Sequence, residues 1–445
     1  MAKGDTPATD WFLSILLKLV KVKQEEIQPL LWSFSYFFVL LCSYYILRPL
    51  RDEMGIAGGV ENLQWLFTGT FVAMLVAVPM FGWISSRYPR KQFLPLVYLF
   101  FISNLLIFYF LFYFGWSYTW IARSFFIWTS VFNLFIVSVF WSFMADLFND
   151  NQARRLFGFV AAGGTAGALA GPTITVILAA PLGTTNLLLI SVIGLVWAIL
   201  SIHRLNSWND KNTASVTSPS PQILKSVKDT NPALGGGVFD GLRMIMTSPY
   251  LFGICLLILL YTTLSTFLYF QQAQIIHDSF SDAAQRTTVF AAMDLATNAL
   301  TIFFQFFLTS RIIKLLGLGW ALALIPLLLS VGFLALAFVP TLGVMVCVQV
   351  ARRSGNYALM KPAREILFVV LDKEQKYKAK NIIDTVIYRS GDVVSAWVYA
   401  GLQALGLGLA AIALIAVPLC GAWAWISYRL GKQQKLQANE KEMTT

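Results

Sequence analysis

Apolar residues in this chain neither alternate nor recur on a single helical face; they run on in blocks separated by short polar connections. Blocks lie near 28–48, 62–84, 93–114, 117–147, 154–180, 184–204, 249–272, 285–308, 317–338, 342–370, 379–404 and 405–428. Each reaches the ~20 residues that an α-helix needs to cross a bilayer. The pattern predicts an all-α polytopic membrane protein with about twelve transmembrane helices. Its one long polar connection, 205–248, carries NDKNTASVTSPSPQ and NPALGGG and divides the blocks into two sets of six. Two six-helix halves are the layout of many transporters.

The ends follow the same logic. MAKGDTPATD is polar, and WFLSILLKLVKVKQEEIQ after it is too short and too charged to span. Trp11, Ile15 and Leu19 on one side, flanked by Lys18 and Lys21, predict an interfacial helix rather than a cleaved signal peptide. The expected organisation is a cytoplasmic N-terminal segment with that helix at 1–27, a six-helix bundle at 28–204 and a cytoplasmic linker at 205–248. A second bundle at 249–428 and a cytoplasmic tail at 429–445 complete it.

Composition agrees. The 445 residues are 57% hydrophobic and 12% charged, with 36 Phe and 14 Trp, and the mean hydropathy is +0.67. That is far from a soluble globular domain. The net charge of +11 is gathered in alternate connections: Lys18, Lys21 and Lys23, then Arg87, Arg90 and Lys91, Arg154 and Arg155, Arg311 and Lys314, Lys373 to Lys380, and Arg429 to Lys435. The positive-inside rule accounts for this, placing both termini in the cytoplasm of a multi-pass protein of a bacterial inner membrane. No nucleic-acid partner is needed; the lipid bilayer and a small substrate are the expected partners, and a monomer is expected. All four cysteines fall in apolar blocks, so neither a disulfide framework nor a metal site is implied. No Ser-His-Asp, HExxH, Walker or CxxC arrangement occurs, so the chain is not expected to be an enzyme or to hold a cofactor. His203 and His277 are expected at the inner end of a span and in an outer loop.

An internal repeat supports the two halves. An offset of 224 residues carries Ser86 onto Ser310, Leu147 onto Leu371, Asp150 onto Glu374, Arg154 onto Lys378, Gly167 onto Gly391 and Tyr45 onto Tyr269. In AAGGTAGALAGP, 161–172, Gly163, Gly167 and Gly171 recur every fourth residue. There is no Lys-Ser/Thr of a phosphate loop, so the glycines read as a stripe for close helix approach.

The stretch ARRSGNYALMKPAREILF, 351–368, breaks the apolar pattern. An Arg or Lys at mid-bilayer costs about 2.5–3.5 kcal/mol, so these charges must face protein or water. On a regular helix Arg353, Tyr357, Met360, Lys361 and Arg364 share a face, with Arg352 and Asn356 beside it, and Pro362 is expected to kink the helix. Arg48, Arg51 and Asp52 end the first block; Arg123, Asp294, Asp384, Arg389 and Asp392 lie in others. Cations outnumber carboxylates, which suits a cavity for an anion, its oxygens held by guanidinium forks. Expected substrate contacts are Arg48, Arg51, Arg123, Arg352, Arg353, Asn356, Tyr357, Lys361, Arg364 and Arg389. Expected coupling or gating groups are Asp52, Arg87, Arg90, Asp294, Glu365, Asp384 and Asp392. The competing reading is a set of structural ion pairs, such as Glu365 with Arg364 or Arg389 with Asp392. Tyr44, Tyr45, Trp141, Tyr269 and Tyr357 could stack a ring, or simply pack.

Two resemblances rest on these residues. GWISSRYPRK, 82–91, resembles the major facilitator loop between second and third helices: Gly82, Arg87, Arg90 and Lys91 match, while Ser86 and Pro89 replace the usual Asp and Gly. The resemblance implies a major facilitator-type fold with this loop as a cytoplasmic gate latch, lacking its usual acidic partner. SYYILRPLRDEMG resembles the first-helix motif of the transporters that exchange ATP for ADP in plastids and obligate intracellular bacteria. Ile46, Leu47, Arg48 and Asp52 match, and Arg51 stands where that family has a functional lysine. FWSFMADLFNDNQARRLFGFVAAGGTAGALAG, GLRMIMTSPYL and KPAREILFVVLDKEQKYKAKNIIDTVIYRSGD are similar to further segments of it. Two acidic residues of that family are absent, with Thr129 and Tyr269 near their places. The resemblance implies an anionic, phosphorylated substrate moved by alternating access, without fixing ATP/ADP selectivity. A proton-coupled symporter or exporter of another small solute, with Asp294, Asp384 or Asp392 carrying the proton, is the alternative.

Overall fold

The structure is a computed structural model that describes residues 22–87, 90–215 and 240–444. Among them every regular element is helical, as apolar blocks must be where lipid offers no partner to backbone N–H and C=O groups. The main helices are α1 (Ile27–Ala57), α2 (Leu63–Arg87), α3 (Arg90–Phe114), α4 (Tyr118–Leu147), α5 (Asp150–Leu182) and α6 (Leu187–Ser215). After a short helix, Asp240–Thr247, come α7 (Pro249–Ser279), α8 (Ala283–Phe307) and α9 (Thr309–Phe338). Helix α10 (Leu342–Gly355) continues through Asn356–Met360 into Lys361–Leu367, α11 (Lys373–Ile382) through Ile383–Ile387 into Tyr388–Ala404, and α12 is Leu409–Thr444. The interfacial helix expected before residue 22 and most of the 205–248 connection lie outside the described residues.

Among the described residues ten helices are long and apolar enough to cross a membrane; α10 and α11, which carry the charged clusters, are not. Several helix ends differ from the sequence expectation. Helix α1 extends to Ala57, so Arg48, Arg51 and Asp52 lie inside it rather than at its end. The apolar run stops at residue 47, but buried side chains continue through Asp52, Glu53 and Met54, and burial sustains the helix. His277 is in the last turn of α7, beside Asp278, rather than in a loop. Helix α12 runs on through the 429–444 segment, beyond the end of the last apolar block.

Helix starts have local causes. Asn149 caps α5: its side chain accepts from Gln152 N–H at 2.9 Å while the Gln152 side chain accepts from Asn149 N–H at 3.1 Å, a reciprocal capping box. Ser248 caps α7 and Pro249 occupies its first position, where a missing N–H costs nothing.

The chain forms two compact units. Of the described residues one comprises 22–54, 73–87, 90–215 and 283–292; the other comprises 55–72, 240–282 and 293–444. In the first, α5 lies directly on α1. A Cβ placed on Gly163, Gly167 or Gly171 would stand 2.5, 2.2 and 2.6 Å from the carbonyl oxygens of Phe34, Phe38 and Cys42. Both rows step by four, so the glycine stripe is a packing surface. Aromatic side chains fill the layer beside it: Phe37 stacks on Phe140 at 4.2 Å, and Tyr36 and Tyr98 share a hydroxyl contact of 2.6 Å.

The second unit repeats the device. A Cβ on Gly391 of α11 would lie 2.5 Å from Thr262 Oγ1 of α7. The differences 391 less 167 and 262 less 38 are both 224, so glycine and partner alike obey the sequence offset.

Helices α10 and α11 each contain a π turn. Lys361 N–H donates to Asn356 O, and Tyr388 N–H to Ile383 O, each five residues back. Pro362 has no N–H for the carbonyls of Ala358 or Tyr357. Thr309 Oγ1 donates to Ala358 O at 2.7 Å and Gln305 Nε2 to Tyr357 O at 3.3 Å, so both freed acceptors are satisfied by neighbouring segments.

Candidate functional site

The π turn redistributes the charges of 351–368. One extra residue in the turn moves everything after it back by about 100° relative to a regular helix. The single face expected from regular spacing is therefore not observed: Arg353 and Met360 are buried, while Lys361 is exposed. Arg353 points to α8, where its Nη2 pairs with Asp294 Oδ1; both side chains are almost fully enclosed. Arg352, one residue earlier, turns to α7 and donates from Nη1 to Ser265 Oγ at 2.5 Å. After the π turn, Arg364 pairs with Asp384 of α11 at 3.1 Å. Glu365 pairs with Lys380, not with Arg364. Arg389 and Asp392 pair at 3.7 Å, as the structural-pair reading expects.

Four carboxylates of this unit, Asp294, Asp384, Glu365 and Asp392, are thus matched to Arg353, Arg364, Lys380 and Arg389. Arg352 and Lys361 remain. Among the described residues neither forms an ion pair; Lys361 Nζ lies 4.7 Å from the centre of the Tyr357 ring. Arg352 is held by neutral groups, Ser265 Oγ and Gln349 Oε1, the latter accepting from Nε at 2.9 Å. Arg352 and Arg389 both act electrostatically on Asp392, which places these three charges in one neighbourhood.

Aromatic and amide groups surround them. Asn356 Nδ2 donates to Tyr261 Oη at 3.1 Å, the Tyr261 and Tyr388 rings are 6.0 Å apart, and the Arg389 guanidinium lies 5.8 Å from the Tyr388 ring centre. Composition alone did not single out Tyr261, Tyr388, Ser265, Gln272 or Gln349. The signal available was a run of polar residues on α7 and α10 at positions where a lipid-facing helix would be apolar. Two cavities in this unit, of about 620 and 490 Å³, are apolar-walled and run along α8, α9 and α10. Of the charged site residues, Arg352 alone lines either one.

In the first unit the expected residues are more dispersed. Arg51 donates from Nε and Nη2 to Asp52 Oδ1 at 3.0 and 2.6 Å and lies 5.3 Å from the Phe126 ring centre. Arg48 lies over Tyr45 at 5.7 Å and Arg123 over Trp120 at 4.9 Å. Such cation–ring contacts stabilise a charge without neutralising it. Arg87 lies over Trp83 at 5.4 Å at the end of α2; Arg90 opens α3, and residues 88 and 89 between them lie outside the described residues. Thr129 is buried, its hydroxyl donating to Phe125 O at 2.8 Å. The strongest pair in this unit was not anticipated. Glu53, fully buried, accepts from Arg286 Nε at 2.6 Å and from Nη2 at 2.7 Å. Asp52, next to Glu53, carries the first-helix resemblance, and Arg286 stands at the very start of the 285–308 block, where sequence offers no partner for it.

A polytopic all-helical protein with ion pairs enclosed between its spans fits the class of multi-span membrane transporters. The family model of the Major Facilitator Superfamily matches residues 29–360, and the chain belongs to that superfamily. It is 22% identical to ADP,ATP carrier protein 1 of Chlamydia muridarum (strain MoPn / Nigg) over 445 residues, covering 86% of this chain and 83% of the carrier. The nucleoside transporter NupG (D323A mutant) superposes with a TM-score of 0.63 at 10% identity, covering 90% of this chain and 99% of that one. A POT family transporter in complex with 5-aminolevulinic acid superposes at 0.61 and 11% identity, covering 92% and 96%. These likenesses carry the fold, and the superfamily consists of transporters rather than enzymes.

Proposed function

We propose that this protein is a secondary active transporter of an organic anion, a nucleotide or another phosphorylated metabolite, working by alternating access in a bacterial inner membrane. The observation that carries the reading is the pairing of the site residues in the second unit: Asp294, Asp384, Glu365 and Asp392 each meet a cation, and of the five expected substrate cations there Arg352 and Lys361 meet no carboxylate among the described residues. A cation inside a membrane protein without an anionic partner is costly. An anionic substrate supplies that partner, and charge-assisted bonds to guanidinium and ammonium groups are among the strongest available. The rings of Tyr261, Tyr357 and Tyr388 beside these cations suit a planar group such as a base. The likeness to an ADP,ATP carrier supports the same substrate class.

The test is uptake into proteoliposomes of radiolabelled ATP, a hexose phosphate and citrate. The unmodified carrier takes up at least one of them, and Arg352→Ala or Lys361→Ala lowers uptake roughly tenfold or more, the worth of one charge-assisted bond. Wild-type uptake by both variants would refute the reading. Arg353 is a poorer probe, because its removal strands the enclosed Asp294.

A further inference from the structure

Arg352 owes its place in the site to a chain of neutral amides. Its Nε–H donates to Gln349 Oε1, and Gln349 Nε2 donates in turn to Gln272 Oε1. That second bond fixes which way the Gln349 amide faces: its NH₂ is committed to Gln272, so its oxygen must face the arginine. Both amides are 2% exposed, so the arrangement is set in a nearly dry interior, where hydrogen bonds orient strongly. On the other side the Nη1 group is anchored by the Ser265 hydroxyl. Two edges of the guanidinium are thereby fixed by oxygens that carry no charge, and Nη2 has no protein partner among the described residues.

The contrast with its neighbours defines what this achieves. Arg353, Arg364 and Arg389 each meet a carboxylate, which positions the guanidinium and cancels its charge together. At Arg352 positioning and neutralisation are separated. A glutamate at 349 would fill the same space and hold Arg352 at least as firmly, but it would supply the negative charge itself.

We propose that Gln349 is a positioning and specificity-determining residue for the anion: its neutral oxygen aims Arg352 without itself cancelling the positive charge that the substrate meets. This rests on the reading that Arg352 binds the transported anion. A phosphate or carboxylate bound at Nη2 would complete the third edge of a guanidinium already held on the other two, so little side-chain freedom remains to be lost on binding.

The experiment compares Gln349→Glu with Arg352→Ala in full-length carrier, using whichever of radiolabelled ATP, a hexose phosphate or citrate is best transported. Gln349→Glu preserves the bond to Arg352, and the Gln272 amide can turn its NH₂ toward the new carboxylate, so thermal stability in detergent stays at or above the unmodified value. The expected kinetic result is an apparent KM for the anion raised roughly tenfold or more, with Vmax within about twofold, because the internal carboxylate competes with substrate for one charge. Ser265→Asp places a carboxylate at the opposite anchor and is expected to raise KM in the same sense, which keeps the test open if Gln349→Glu does not fold. A purely structural role for Gln349 would instead lower stability and Vmax together. Unchanged KM in Gln349→Glu, or in Ser265→Asp should the first not fold, alongside lost uptake in Arg352→Ala, overturns this proposal and leaves the transport reading standing. Unchanged uptake in Arg352→Ala overturns this proposal, and the transport reading with it when Lys361→Ala is also unchanged; no uptake of any of the three anions by the unmodified carrier overturns both.

Discussion

Replacing Gly167 by alanine tests the contact of α5 with α1 most directly. The added methyl would lie 2.2 Å from Phe38 O and 2.9 Å from Cys42 N. Ordinary van der Waals contact begins about 1.2 Å further out than the shorter of these distances. Both obstructing atoms belong to backbone, so no rotamer change relieves them, and the helices must separate. Forcing one methyl into a closed interface costs about 1–3 kcal/mol. In water, alanine would recover about 1 kcal/mol over glycine through helix propensity. Unfolding in a mild denaturing detergent leaves membrane helices largely helical, so that gain nearly cancels and the packing cost remains. The measurement is reversible unfolding in mixed micelles, with Gly158→Ala as control, since a Cβ on Gly158 of the same helix meets nothing within 4 Å. Gly167→Ala should be less stable than the control by about 1–3 kcal/mol. Equal stability of the two variants would show that α5 does not approach α1 through this stripe.

Two further outcomes follow from the enclosed ion pairs. Asp294→Asn leaves Arg353 charged and without its carboxylate in the interior, and thermal unfolding should report a loss of about 3–5 kcal/mol. The double variant Asp294→Leu/Arg353→Met, which replaces the pair by apolar groups of similar size, should recover most of that loss, and a double variant no more stable than the single one contradicts the account. Glu53→Gln turns an NH₂ group toward the Arg286 guanidinium and should destabilise the first unit by about 3 kcal/mol, while Glu61→Gln, at an exposed position, should change stability by less than about 0.5 kcal/mol.

The helices and the residues carrying charge were legible in the sequence because both are one-dimensional facts. Apolar runs long enough to span must be helical, and an arginine inside such a run must find a partner. Gly167 and Gly391 were legible together, since duplication left the same small residue at the same offset facing the same partner position. Pairing was not legible. Arg352 and Arg353 are neighbours in the chain, yet one joins α7 and the other α8, and which helix each meets is set by tertiary packing; the residues after them, Arg364 among them, are turned by a π turn that periodic spacing does not announce. Pro362 was the available signal, and it predicts a kink without predicting an inserted residue. Glu53 with Arg286, separated by most of the chain, leaves no local trace at all. Neutral side chains escaped for a different reason: Gln349, Gln272 and Ser265 count as unremarkable polar residues until geometry shows that they hold a cation.

The widened turn at Asn356–Met360 makes α10 a helix of two phases. Upstream residues address one pair of neighbours and downstream residues another, so no single helical wheel describes Arg352, Arg353 and Arg364 together. Residue-by-residue alignment with a carrier whose tenth helix is regular must therefore open a gap of one position within this turn. Placed after Leu367, the gap would transfer every role from Lys361 to Leu367 onto the wrong side chain.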